Sequence, residues 1–386
     1  MPRSTASEGQ HPSQTRVLIV NSTLHIGGAE QVAACLAERI SHRRFEVSAC
    51  YLKEPGLIAD QMRRAGVDLV PIPELRPGRR DYLTSAKLRR LILARRIEVV
   101  HTHDIHGLID GSICRMASPG LRLVHTFHFG NYPHRGRRHQ LIERTLWRVP
   151  DAIVAVGHAQ AASIREFYGI PESRLRVIWN GVDDPLDKPA AEPVLLRLDA
   201  GVPVIASIST LIPQKGLEHL LDAAALLRQW GERFLLVIAG DGGLREQLHT
   251  RSAALGLDEH VRFLGWVPQA SDRLLPDCDI FVQSSLWEAM SIVVLEAMAA
   301  GKPMVVTAVG ENPHVVLPGE TGLIVPPANP VALAESLRRL LRDEALRNGF
   351  GRAARARYEA HFTVQHMIEA YERLYDELAR ESQPRA

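Results

Sequence analysis

A strand-then-helix alternation that runs through the chain twice restricts its fold more than any other feature. "RVLIVN" (residues 16–21) reads as a short buried strand, and a Gly-containing turn leads from it into the helical pattern "AEQVAACLAERI". The alternation continues with "FEVSACYL" and "LIADQMRRAG", "VDLVPI" and "YLTSAKLRRLILARR", "IEVVHTH" and "GLIDGSICRMA", "LRLVHTFHF" and "RHQLIERTLWR", and "DAIVAV" and "AQAASIREFYG". Short β-branched strands followed by longer helical stretches build βαβ units on a parallel sheet. "NGVDDPLDKPAAEP" (180–193), rich in Pro, Gly and acids, then breaks the rhythm as a linker does. A second alternation follows through "VPVIASIS", "RFLLVIAG", "HVRFLG", "CDIFVQS", "KPMVVTA" and "TGLIVP", and from residue 330 the chain is helical and amphipathic to its end. The fold class is therefore α/β: two Rossmann-like, doubly wound domains facing across a cleft, with a C-terminal helical tail.

The expected division is a disordered tail over 1–15, a first domain over 16–180, a second over 181–355, and a C-terminal helix over 356–386 that crosses back to the first domain. A length of 386 residues, 46% of them hydrophobic, fits two cores better than one. The four cysteines, at 35, 50, 114 and 278, form no close pair, which argues against a disulfide framework or a zinc knuckle and for a reducing cytoplasm. No apolar segment is long enough to cross a membrane, and the polar start lacks the apolar stretch of a cleavable signal. The net charge of +2 conceals an asymmetry: residues 1–180 hold 26 Lys/Arg against 16 Asp/Glu, and residues 181–386 hold 20 against 28. A basic first half suits an anionic partner, whether nucleic acid, a phospholipid surface or a phosphorylated ligand, or reflects arginine used as a surface helix former.

Open parallel sheets bind ligands at the carboxyl ends of their strands, so the loops there hold the candidate residues. "HIGGAE" follows the first strand and opens the first helix. Its Gly27 and Gly28 either allow a phosphate or sugar to approach helix N–H groups or simply make a tight turn. The matching loop of the second domain, "SISTLIPQKG", sets Lys215 just before a helix, as a point charge for a diphosphate or as a solvated surface lysine. Histidines crowd two strand ends, in "HTHD" and in "HTFHF" with His125 and His128, without the companion spacing of a metal site. In "SSLWEAMSIVVLEAMAAGKP" (284–303), Glu288 falls in a strand-to-helix loop and Glu296 about a turn and a half into the helix. Eight residues correspond to roughly 12 Å if helical throughout, which is the span of a sugar, a diphosphate and a ribose. Between the two acids lies a helix N-terminus suited to the diphosphate.

These residues carry a resemblance. "EAMSIVVLE" followed by "AMAAGKPMV" resembles the E-x7-E signature of the retaining GT-B glycosyltransferases that use nucleotide sugars, glycosyltransferase family four of the group one type. "GGAE", "VHTFHF", "VIWNGVD", "PQKG", "IAGDG", "VRFLGWV" and "VGENPHVVLPGETGLIVPP" match in the same order, so the resemblance spans nearly all of the chain from residue 16. It implies that Glu288 contacts the donor sugar, Glu296 the ribose, Lys215 the diphosphate, and that His128 faces the reacting sugar. Gly27 and Gly28 would lie under phosphates and acceptor, backbone at Ala289, Met290, Ser291 and Ile292 would hold the phosphates, and Gly265 would border the base. Two departures stand out. Ser209-Thr210 occupies the place of the usual Gly-Arg, which would leave Thr210 in the donor site without the second cation, and His314 stands where a Glu is common.

The implied activity is transfer of a glycosyl group from a UDP-, GDP- or ADP-sugar to an acceptor glycan or lipid-linked sugar, with retention and without a metal. Assembly of an exopolysaccharide, lipopolysaccharide or glycolipid is the expected setting, and nucleic acid is not an expected partner. A nucleotide-sugar epimerase of similar build, or a non-catalytic subunit motivated by Thr210, are the rival readings. "HRGRRHQLIERTLWR" (134–148) and "LRPGRRDYLTSAKLRR" (75–90) are basic stretches that would dock the first domain on an anionic membrane surface from the cytoplasmic side, or pack an apolar stripe on the sheet.

Overall fold

The computed structural model describes residues 14–25, 27–72, 83–131, 136–189, 191–192 and 201–382. Most of the N-terminal tail and parts of both basic stretches, 75–82 and 134–135, lie outside the described residues.

The first sheet has seven strands: β1 (Thr15–Thr23), β2 (Phe45–Glu54), β3 (Asp68–Pro71), β4 (Val99–Thr102), β5 (Arg122–Phe127), β6 (Ala152–Ala155) and β7 (Leu175–Val177). Between them run α1 (Gly28–Arg39), α2 (Leu57–Arg64), α3 (Thr84–Ala94), α4 (Ile105–Met116), α5 (Arg137–Leu146) and α6 (His158–Tyr168). The order β3-β2-β1-β4-β5-β6-β7 reverses direction at β1/β4, the mark of a doubly wound sheet. β7 is one strand more than the alternation predicts; three residues are too few to show a periodicity.

The second sheet holds β8 (Val204–Ile208), β9 (Leu235–Ala239), β10 (Val261–Gly265), β11 (Ile280–Gln283), β12 (Met304–Thr307) and β13 (Leu323–Val325). Its helices are α7 (Leu217–Gln229), α8 (Arg245–Ala254), α9 (Ala270–Leu274), α10 (Ile292–Ala299) and the short α11 (Asn312–Val315). α12 (Pro330–Arg342), α13 (Glu344–His361) and α14 (Val364–Ser382) complete the chain. The strand order β10-β9-β8-β11-β12-β13 repeats the logic of the first sheet, with its switch at β8/β11. β8 pairs in parallel with both β9 and β11. Because alternate side chains leave opposite faces of a strand, one sheet builds two cores. Val204, Ala206, Leu235 and Val237 join one, while Ile205, Leu236 and Ile238 join the other.

The chain forms two compact units: Met1–Phe127 with Gly136–Val154 and Ile368–Ala386, and His128–Arg135 with Ala155–Met367. In the first unit, α14 is clasped by a buried polar network. His101 bonds the Tyr375 hydroxyl through Nδ1 and Thr126 Oγ1 through Nε2, each at 2.7 Å, and Thr126 also bonds the Tyr371 hydroxyl at 3.1 Å. Arg44 adds ion pairs to Glu372, at 2.8 Å, and to Asp376. Three of the clustered histidines are buried: the His103 ring lies tilted against His101 with centroids 4.1 Å apart, and His125 bonds Thr102 Oγ1 at 2.8 Å. Asp104 is occupied as the N-cap of α4, accepting from the amides of His106 and Gly107.

Candidate active site at the carboxyl ends of the second sheet

At the switch point of the second sheet the loops after β8 and β11 are fastened to each other. Leu286 N donates to the Gln214 carbonyl at 2.7 Å, Ser284 Oγ to the Lys215 carbonyl at 2.9 Å, and Gln214 Nε2 to the Trp287 carbonyl at 3.1 Å. This zipper delivers Lys215 to Glu288, with Nζ 2.5 Å from Oε1. Ser285 Oγ donates to the same oxygen at 2.7 Å, and Gln214 Nε2 approaches Oε2 at 3.3 Å. Glu288 is buried, at 7% exposure, and a carboxylate so placed is stable only because it is paired and hydrogen-bonded. One of the three N–H donors of the Lys215 ammonium is on Glu288, which leaves two for another anion.

Glu288 lies in the loop and Glu296 in α10, as the sequence predicts. Glu296 accepts a hydrogen bond from Ser271 Oγ of α9. Burial pushes its carboxyl up from the ordinary value, while the Ser271 bond and the Lys188 charge oppose the rise. Lys188 itself is paired with Asp272 at 3.0 Å. Between the two acids, Ala289, Met290 and Ser291 are buried and Ile292 begins α10. Ser291 caps no amide of the helix; its hydroxyl accepts from Gln283 Nε2 at 2.7 Å, and the first-turn N–H groups of α10 are not met by a side-chain cap.

Thr210 is exposed, on a loop that crosses directly over the loop after β9. Next to it the buried Ser209 hydroxyl has no hydrogen-bond partner among the described residues. Gly265 ends β10, and its carbonyl accepts from Gly240 N at 2.7 Å. His128 belongs to the same compact unit as these residues. Its imidazole is recessed although the residue keeps a solvent-facing edge, and desolvation pushes its pKa down to about 4. In the first unit, Gly27 is the N-cap of α1 and Gly28 its first residue, and the Glu30 carboxylate folds back against Gly27. Burial raises the pKa of that acid.

The sequence reading did not single out Gln214, Ser285 or Ser271, the groups that orient the two glutamates. It also did not single out Glu311, whose buried side chain is described below. "GENPHV" carries a weak signal for it, an acid one residue after a glycine at a strand end.

The family model "Glycosyltransferase Family 4" matches residues 26–185, and "Glycosyl transferases group 1" matches residues 193–357. The chain is 30% identical over 335 residues to a D-inositol 3-phosphate glycosyltransferase of Salinispora arenicola, covering 76% of this chain and 73% of that one. It is 29% identical over 336 residues to an alpha-maltose-1-phosphate synthase of Mycolicibacterium smegmatis, covering 79% and 86%. The Anabaena protein Alr3699/HepE, solved in complex with UDP-glucose, superposes with a TM-score of 0.83 at 22% identity, covering 94% of this chain and 100% of that chain. Its fold class, GT-B, is that of the present chain.

Proposed function

Because the chain belongs to the family 4 glycosyltransferases of group 1, we propose that it moves a sugar from a nucleoside diphosphate to an acceptor hydroxyl with retention at the anomeric carbon. The observation that carries this reading is the buried Glu288–Lys215 pair at the β8/β11 switch point, beside the open N-terminus of α10. Glu288 accepts hydroxyls of the donor sugar. Lys215 and the amides at Met290–Ile292 take the diphosphate, and Glu296 takes the ribose. The bond from the anomeric carbon to the phosphate oxygen breaks, a bond to the acceptor oxygen forms on the same face, and the acceptor proton passes to an oxygen of the departing diphosphate. Stabilising that leaving group is the main electrostatic task. A lysine and a helix N-terminus supply positive potential for it, so a chelator is expected to leave turnover unchanged. His128, held neutral by burial, positions and polarises a donor hydroxyl rather than attacking.

UDP-glucose is the first donor to test, since HepE, of similar fold, was solved with it. The acceptor is a glycan or lipid-linked sugar, with assembly of a polysaccharide or glycolipid as the setting. The basic surface of α5 supports membrane docking: Leu141 is 68% exposed and stands among the exposed Arg137, Arg138 and Arg144. No described helix is long and apolar enough to cross a membrane. The test is a panel of UDP-, GDP- and ADP-sugars with and without candidate acceptors, scored by nucleoside diphosphate release and by the anomeric configuration of the product. Acceptor-dependent release with retention is expected. Interconversion of the free nucleotide sugar would indicate an epimerase, and binding without turnover across the panel a non-catalytic subunit.

A further inference from the structure

One fully buried carboxylate lies outside the groups assigned so far. Glu311 has 0% exposure, and its side chain accepts three hydrogen bonds: Oε1 from His158 N at 2.8 Å and Trp179 Nε1 at 2.9 Å, and Oε2 from Ala159 N at 2.8 Å. The first two amides of α6 therefore end on an acid from the β12–α11 loop, and Gly157, the N-cap residue, makes no side-chain cap of its own. The fit is tight enough that a Cβ on Gly157 would stand 2.3 Å from Glu311 Oε2.

The same first turn of α6 reaches toward the donor loop by a second route. Buried Gln160 accepts from Val156 N and donates to the Phe129 carbonyl, each at 2.8 Å. The next residue, Gly130, lies so close to the donor loop that a Cβ there would fall 2.1 Å from the Glu288 carbonyl oxygen. A Cβ on Gly310, which is in the left-handed region at φ +52°, would likewise stand 2.4 Å from the same oxygen. Glu311 N then donates to the Ala289 carbonyl at 2.9 Å. The Glu288–Ala289 peptide is gripped between two glycines, and both grips are anchored in one helical turn.

We propose that Glu311 is a positioning residue for glycosyl transfer: its side chain ties the β12–α11 loop to the first turn of α6, and this tie holds the backbone under Glu288, together with the loop bearing His128, in reacting register. The proposal rests on the reading of Glu288 as a donor-binding group. Its physical basis is that small displacements of a reacting constellation lower kcat steeply while barely weakening binding.

A merely structural role, capping α6, can be separated from positioning. In Glu311→Ala/Gly157→Ser the space vacated by the glutamate admits a serine at the N-cap. That serine restores a cap to the helix without restoring the tie to the loop. Denaturant unfolding establishes that the double variant regains the stability lost in Glu311→Ala. Its kcat is then expected to stay at least about tenfold below wild type, with the donor KM within roughly threefold. Recovery of wild-type kcat together with stability would overturn the proposal. A second readout does not depend on turnover. 5-Fluorotryptophan NMR, with the Trp287 resonance assigned through Trp287→Phe, reports on the residue adjoining Glu288. A shifted or split Trp287 signal in the stable double variant is expected, and an unchanged signal would contradict the tie. If no nucleotide sugar is turned over by wild type, the transfer reading fails while this second readout still decides the positioning.

Discussion

In the proposed reaction Glu288 is the group that grips the donor sugar, and it is held by Lys215, Ser285 and Gln214. Glu288→Gln keeps the shape and removes the charge, so transfer is expected to lose about 1.5–3 kcal/mol of charge-assisted contact, read as kcat/KM. Glu296→Gln should behave alike, and both should keep a native circular dichroism spectrum. At position 210, arginine is expected to tighten binding of the nucleoside diphosphate by adding the second cation; unchanged affinity by calorimetry would show that another group already carries that load. His128 titrates at about 4 in the folded chain against an ordinary 6.5. The kcat/KM profile of wild type should therefore show no limb from this imidazole near 6.5, only a fall as the pH approaches 4. The same depression means that the unfolded chain takes up the proton first, so its contribution to stability is present above pH 6.5 and is lost as the pH falls toward 4. The placement of the two glutamates, one in the loop and one in α10, was legible in the sequence because the strand and helix around them form a pattern. Their partners were not: Gln214 is 74 positions from Glu288 and Ser271 is 25 from Glu296, pairings made only by the fold.

Among the elements, α14 is the most informative. Its sequence shows amphipathicity, but only the structure shows that Tyr371 and Tyr375 enter a polar network with His101 and Thr126. In one dimension the histidines at the strand ends lack the companion spacing of a metal site but show no partner, and the fold supplies one for His101 in the Tyr375 hydroxyl. Tyr375→Phe deprives His101 Nδ1 of its 2.7 Å partner and is expected to cost about 1–3 kcal/mol in urea unfolding. In the same unit, burial alone would raise the pKa of Asp151, yet bonds from Arg115, the Leu123 amide and Arg122 hold it below 3.8. A depressed carboxylate stabilises at pH values above its unfolded pKa and loses that contribution as the pH falls through the folded one. Asp151→Asn should accordingly destabilise the chain at neutral pH and flatten the acid limb of its stability curve below about pH 4. The strand–helix rhythm made twelve of the thirteen strands legible; β7 escaped because "LRV" is too short to carry a period.

For the whole molecule, the surplus of Lys/Arg in residues 1–180 is the feature with the clearest expected consequence outside the donor site. Co-sedimentation with vesicles is expected to require anionic lipid and to weaken with salt, and Leu141→Asp with Arg137→Ala and Arg138→Ala should abolish it; binding indifferent to lipid charge would point to a soluble acceptor. The central claim, that the Glu288–Lys215 site receives a nucleoside diphosphate sugar, is tested most directly by thermal unfolding of wild type and Lys215→Ala with and without UDP and UDP-glucose. A ligand at a hundred times its dissociation constant adds about 2.7 kcal/mol to the folded state. The expected result is a clear upward shift in the wild-type unfolding temperature that Lys215→Ala removes for UDP and UDP-glucose alike. An equal shift in both proteins would contradict the assignment.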